Sequence, residues 1–242
     1  MATRWYKGVV SQIQPLTEIT SQFTISVEDD EIFDYLPGQF VTFDLPVGEK
    51  RMQRWRSYSI ANAPDRNNKL EFCIVRSEGG LATEYLFENI SVGSEIKFKG
   101  PDGIFVIPKD LVTNEIVMIC TGTGIAPFRS MWQYIDQQQL PFKKIHLIFG
   151  TRFVNSILYR DELESMKNKY SNFSFDIVLS RENHHDYHHG YIHHLYLNRY
   201  ADLKEDRRFY ICGWSGMIDE TLDNLTNKLG YDKAQIRNEL YG

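Results

Sequence analysis

The run Glu115-Ile116-Val117-Met118-Ile119-Cys120, followed at once by Thr121-Gly122-Thr123-Gly124-Ile125-Ala126-Pro127, constrains this chain more than any other stretch. A strand that is apolar on both faces belongs in a parallel sheet covered by helices on each side. Glycines between such a strand and a helix let backbone approach a ligand closely. The helix start then offers free N–H groups and the positive end of its dipole to an anion. The turn is not the GxGxxG dinucleotide fingerprint, because Pro127 stands where the third glycine would. The acidic ribose clamp expected about 20 residues on is also missing, and Gly150-Thr151-Arg152 ends the next strand. Proline in the first helical turn is tolerated, since its missing N–H has no partner there.

Beyond this turn the pattern alternates. The sequence predicts helix over Phe128–Gln137, strand over Lys144–Phe149, helix over Leu158–Tyr170, strand over Ser174–Leu179, helix over Ile192–Asn198, strand over Arg208–Ile211 and helix over Ile218–Leu229. Such alternation implies a doubly wound α/β domain with a parallel sheet. Residues 5–107 read differently. Short strands at Tyr6–Ile13, Phe23–Val27, Phe40–Leu45, Trp55–Ile60, Lys69–Val75 and Glu95–Lys99 lie between Gly- and Pro-containing turns. That spacing predicts a small antiparallel barrel or sandwich. Two domains follow, 1–108 and 109–242, which a length of 242 residues accommodates.

Within the first half, Arg54-Trp55-Arg56-Ser57-Tyr58-Ser59 reads as a strand with Arg54, Arg56 and Tyr58 on one face. A guanidinium fork suits phosphate oxygens and a phenol ring suits a flat ligand. An exposed sheet face has the same composition, so this motif alone leaves both readings open. Gly79-Gly80-Leu81-Ala82-Thr83 leads into a predicted short helix over Glu84–Asn89, where uncapped N–H groups and the Thr83 hydroxyl can meet an anion. A plain glycine turn before a barrel-capping helix is the alternative.

Composition removes several function classes. Cys73, Cys120 and Cys212 form no CxxC pattern, so zinc or iron–sulfur ligation by local cysteines is not expected. A net charge of −5 argues against general nucleic-acid binding. No apolar run reaches membrane-spanning length, and Met1–Tyr6 lacks a signal-peptide core, so a cytoplasmic protein is expected. Six of the seven histidines fall within His184–His194, but their spacings fit no single metal geometry and Gly190 interrupts them. A solvated loop is expected there, and no metal site.

Taken in order, Arg56-Ser57-Tyr58-Ser59, Gly80-Leu81-Ala82-Thr83, Gly122-Thr123-Gly124-Ile125-Ala126-Pro127 and Cys212-Gly213-Trp214-Ser215-Gly216-Met217 resemble the ferredoxin–NADP reductase family over nearly the whole chain. The resemblance implies a flavin-binding antiparallel β-barrel followed by an NAD(P)-binding α/β domain. It implies FAD rather than FMN, with Arg56 on the flavin pyrophosphate, Ser57 beside it, Tyr58 stacked on the isoalloxazine and Ser59 near its N5. Gly80, Leu81, Ala82 and Thr83 would hold the pyrophosphate from the helix end. Thr121, Gly122, Thr123, Gly124 and Pro127 would hold the dinucleotide, and Cys212 and Gly213 would sit at the nicotinamide. A buried strand-end thiol is the other reading of Cys212. Ser180 and Arg181, assisted by Arg152, resemble the 2′-phosphate contact of NADPH-using relatives, which tips the expectation slightly from NADH to NADPH.

The function implied is electron transfer from NAD(P)H through FAD to a separate carrier such as ferredoxin or flavodoxin. Lys50, Arg51, Arg54 and Arg56 form a basic cluster suited to steering an acidic carrier. A reductase of free flavin, or a non-catalytic redox-sensing module on the same fold, are the competing readings.

Overall fold

The computed structural model describes residues 4–240, and the chain divides into two compact units: residues up to 107 with 126–134, and residues 108–125 with 135 onward. In the first unit, β1 (Trp5–Pro15), β2 (Thr20–Val27), β3 (Phe40–Asp44), β4 (Trp55–Ser59), β5 (Lys69–Val75) and β6 (Glu95–Asp102) form one antiparallel sheet in the order β4-β3-β6-β1-β2-β5. The chain just past β4 closes the sheet on itself: Ala61 N–H donates to Glu71 O at 2.7 Å, and Asn62 Nδ2 to Lys69 O at 2.9 Å. Phe23, Phe43, Phe72 and Phe98 fill the interior, with Phe43 edge-on to Phe72 at 4.9 Å. Two short helices, α1 (Arg51–Arg54) and α2 (Leu81–Glu88), complete this part, and α2 lays Ala82 and Leu86 into the same core.

Residues 126–134, the first turns of α3 (Ala126–Gln137), also pack with this unit. The buried Arg129 guanidinium donates to Ala61 O at 3.1 Å and to the Glu71 carboxylate at 2.5 Å, and the Ser130 hydroxyl donates to Asn62 O at 2.6 Å. A desolvated cation demands such partners.

The second unit holds β7 (Glu115–Thr121), β8 (Lys144–Thr151), α4 (Arg160–Lys169), β9 (Phe173–Leu179), β10 (His188–His189), α5 (Ile192–Arg199), β11 (Arg207–Gly213), α6 (Ser215–Asp223) and β12 (Ile236–Leu240). All strand pairs are parallel, in the order β10-β9-β8-β7-β11-β12. The chain steps outward from β7 to β10, then returns to β11 on the other side of β7. That reversal makes the carboxyl ends of β7 and β11 the crevice where such sheets gather ligands. Val117, Ile119, Phe209 and Ile211 face Tyr196 of α5 and Met217 and Ile218 of α6. Alternation sends Cys120 and Cys212, which are paired in register, to the opposite face. At the amino ends of the same strands, Arg207 and Glu115 are 3% and 7% exposed and paired, with Nη2 and Nε at 2.9 and 3.0 Å from Oε2.

The fold class is that read from the sequence. Three elements go beyond it: α1, the two-residue β10 inside the histidine-rich loop, and β12. The helix expected from residue 158 begins at Arg160, because Tyr159 takes a left-handed φ of 54°. The helix expected over 218–229 begins at Ser215 and widens into a π turn over Asn224–Lys228. No helix among the described residues is long and apolar enough to cross a membrane.

Candidate functional site

In the first unit, β4 and α2 are linked through α1. α1 runs directly into β4 and packs beside α2. The strand starts at Trp55, so Arg54 lies at the end of α1 and its guanidinium is taken by Asp44 at 2.8 Å. Arg56 faces Phe43 of β3 in register. One of its terminal nitrogens donates back to Met52 O and Trp55 O, and its Nε and Nη2 have no partner among the described residues. Tyr58 is 7% exposed, tilted against Phe43 at 4.9 Å. Burial pushes its phenol up, opposed by the Arg56 charge. Ser57 bonds Thr42 across the pair at 3.1 Å, and Ser59 is buried.

Gly80 is the N-cap of α2 and supplies no side-chain cap. The first intrahelical bond is Glu84 N–H to Gly80 O at 2.9 Å, which leaves the N–H groups of Leu81, Ala82 and Thr83 without an intrahelical acceptor. A Cβ at Gly80 would meet Thr83 Oγ1 at 2.8 Å, so the cradle is shaped for glycine. The Thr83 hydroxyl, expected from sequence to reach a ligand, is already engaged: it donates to Gly80 O and accepts from Ser77 N–H, both at 3.1 Å. Thr83 therefore offers its backbone N–H. Uncapped N–H groups and a guanidinium with free donors each fit a pyrophosphate such as that of FAD.

In the second unit, the Gly122–Ile125 turn sits at the switch point. Gly122 has φ +53° and open space where a Cβ would lie. Gly124 is pressed against β11: a Cβ there would stand 2.4 Å from the Cys212 carbonyl oxygen. A Cβ at Gly213 would stand 2.8 Å from Thr121 Oγ1, a buried hydroxyl with no hydrogen-bond partner. Pro127 falls in the first turn of α3, and Thr123 is buried. The glycine turn and the orphaned hydroxyl lie together at one crevice, a setting that suits a dinucleotide pyrophosphate.

The Cys212 thiol is fully buried, and burial together with the Glu239 charge pushes its pKa well up, which disfavours the thiolate. Glu239 lies opposite Cys212 in register on β12. Its Oε2 is buried with no hydrogen-bond partner among the described residues, and burial pushes the carboxyl up to about 7. Sequence reading missed this residue. Its segment Ile236-Arg237-Asn238-Glu239-Leu240 lacks the apolar run of a covered parallel strand, because β12 is an edge.

At the carboxyl ends of β8 and β9, Arg181 N–H donates to Arg152 O at 3.1 Å, which sets two exposed arginines side by side. The Ser180 hydroxyl donates to Thr151 O at 3.3 Å. The adjacent Glu182 carboxylate is occupied by Val154 N–H at 2.8 Å, so neither arginine is neutralised among the described residues.

The basic cluster differs from expectation. Arg54 is paired with Asp44 and Arg56 is folded onto α1. The remaining charge gathers on two tryptophans: Arg51 and Lys99 lie over the Trp55 ring at 3.7 and 4.4 Å, and Lys97 over Trp5 at 4.9 Å. The two rings meet edge-on at 5.2 Å.

Comparison with known proteins agrees with this geometry. The oxidoreductase FAD-binding domain family matches residues 7–107, and the oxidoreductase NAD-binding domain family matches residues 118–223. Ferredoxin–NADP reductase B of Sorangium cellulosum is 28% identical over 236 residues, covering 95% of this chain and 94% of that protein. The glycine betaine monooxygenase reductase subunit of Pseudomonas aeruginosa is 28% identical over 226 residues, and the chain spans only 60% of its length. The crystal structure of a ferredoxin–NADP⁺ reductase from Neisseria gonorrhoeae with bound FAD and NADP superposes with a TM-score of 0.82 at 25% identity, covering 98% of both chains. The chain belongs to the ferredoxin–NADP reductase family of FAD-dependent oxidoreductases that use NAD(P)H.

Proposed function

We propose that this enzyme passes electrons from NADPH, through FAD, to a separate acidic one-electron carrier such as ferredoxin or flavodoxin, with residues 1–108 as the FAD-binding domain and 109–242 as the NAD(P)-binding domain. The observation that carries the reading is that each unit holds its own anion donors: an uncapped helix start and an arginine with free donors in the first, a glycine turn at the sheet's switch point in the second. FAD, when bound, supplies the conversion of a hydride from NAD(P)H into single electrons.

The side chains bind and orient. Arg56 and the Leu81, Ala82 and Thr83 N–H groups neutralise the flavin pyrophosphate, Gly80 admits it, and Ser57, Tyr58 and Ser59 border the ring. Thr121, Gly122, Thr123, Gly124 and Pro127 cradle the dinucleotide pyrophosphate. Cys212 and Gly213 keep the floor of the crevice small and uncharged. Glu239, only partly ionised near pH 7, presents a carboxyl without adding full negative charge beside the nicotinamide. Arg152, Ser180 and Arg181 favour the 2′-phosphate of NADPH, since two adjacent unneutralised arginines suit a phosphomonoester. Arg51, Lys97 and Lys99 over Trp5 and Trp55 give an acidic carrier both charge and aromatic contact area. The buried thiols of Cys73, Cys120 and Cys212 fit the reducing cytoplasm.

The test is an anaerobic titration of the purified yellow holoenzyme with NADPH and with NADH, followed by turnover with ferredoxin, flavodoxin and free FMN. Bleaching at lower NADPH than NADH and turnover with a protein carrier are expected. Turnover with free FMN alone would instead make the protein a flavin reductase, and no bleaching by either nucleotide would make it a non-catalytic module.

A further inference from the structure

The geometry points to a binding site for one divalent transition-metal ion of the zinc class, held by His184, His185 and Asp186 at the tip of the loop between β9 and β10. One ligand atom from each residue lies within 4.8 Å of the other two. Asp186 Oδ2 is 3.3 Å from His185 Nε2 and 3.8 Å from His184 Nδ1. Bonds of 2.0–2.1 Å in a tetrahedral shell place donors about 3.3 Å apart. The His185–Asp186 separation already meets that requirement. His184 needs a small ring rotation, exchanging the 3.2 Å bond it accepts from Asp186 N–H for a metal bond.

The rest of the loop is fixed, which keeps these donors together. Gly190 N–H donates to Leu179 O at 2.9 Å. His188 Nε2 lies 3.2 Å from Asp176 Oδ1, and His189 Nδ1 lies 2.9 Å from Glu182 O. The Arg160 guanidinium covers the Tyr187 ring at 5.5 Å. The other two histidines of the loop thus anchor it, while the tip stays open, with His185 83% exposed. Two imidazoles and one carboxylate with an open position suit Zn²⁺ or its neighbours, whereas Ca²⁺ and Mg²⁺ favour oxygen ligands. Spacing across all six histidines hides this subset, because His188 is engaged by the Asp176 carboxylate and His189 by the Glu182 carbonyl.

The test uses metal-stripped holoenzyme titrated with zinc chloride against a chromophoric chelator, and with cobalt chloride for the visible bands of tetrahedral Co²⁺. One ion per chain is expected. Affinity should fall roughly tenfold or more in H184A/H185A and in D186N, and stay unchanged in H193A/H194A. Flavin absorbance and melting temperature serve as the check on folding, which substitutions outside both cores should leave intact. Zinc binding as tight in H184A/H185A as in the unmodified enzyme, or an equal loss in H193A/H194A, would mean an adventitious ion only and overturn the site.

Discussion

Gly124→Ala tests the crevice most directly. The added methyl would stand 2.4 Å from the Cys212 carbonyl oxygen and 2.8 Å from its carbon, where ordinary contact begins at 3.4 Å. Taking 3.4 minus 2.4, the turn and the end of β11 must part by about 1 Å. Both sides are backbone, so no side chain can rotate away. Overpacking of this kind costs roughly 1–3 kcal/mol. At roughly 2–4 °C per kcal/mol for a protein of this size, the melting temperature should drop by several degrees. The functional loss should be larger. A displacement of about 1 Å in a positioning element costs up to ~10²-fold in rate. Stopped-flow flavin reduction by NADPH reads this, with FAD content as the control, since FAD is held by the other unit. Gly122→Ala is the comparison. It meets nothing within 4 Å and suffers only its φ of +53°, so its loss of reduction rate should be smaller. Equal rates in Gly124→Ala and wild type would refute the role given to the turn, as would equal losses in the two variants.

Arg56→Ala should release FAD on dialysis, because charge-assisted bonds worth roughly 1.5–3 kcal/mol each are lost; full retention of flavin fluorescence in the protein fraction would contradict it. Arg181→Ala should raise the KM for NADPH roughly tenfold or more and leave NADH nearly unchanged; parallel changes in both would end the 2′-phosphate assignment. Glu239→Gln should alter the pH dependence of stability. The folded carboxyl, raised from 4.5 to about 7, binds more protons than the unfolded one across that window. Stability therefore falls as pH rises from about 4.5 to 7, and the glutamine variant should lack that slope. Urea midpoints at pH 5 and pH 8 measure it, and an identical drop in both proteins would disprove it.

The legible parts of the fold were those written locally. The apolar run of β7 and the glycines after it fixed both the strand and the crevice. The period-2 face of β4 was also legible, but not which face is wet. That is decided by β3, whose Phe43 lies opposite Arg56 and draws Tyr58 into the core. Arg54 looked like part of the same row until Asp44 took its charge. The cationic surface joins Arg51 to Lys97 and Lys99 only through the meeting of Trp5 and Trp55, residues fifty apart in the chain. Glu239 was hidden for a related reason. An edge strand carries a mixed sequence, and its value comes from lying beside Cys212.

The enclosed pair of Arg207 and Glu115 bears on how this enzyme responds to ionic strength. At 0.15 M salt, exposed charges more than about 8 Å apart are largely screened, while enclosed pairs feel salt far less. The alignment of β7 with β11, pinned at its base by that pair, should therefore persist at concentrations that dissolve the attraction between the Arg51, Lys97 and Lys99 surface and an acidic carrier. Raising salt should slow turnover with a protein carrier while flavin reduction at saturating NADPH changes much less. Ionic strength thereby becomes a dial that separates the two half-reactions in a single sample.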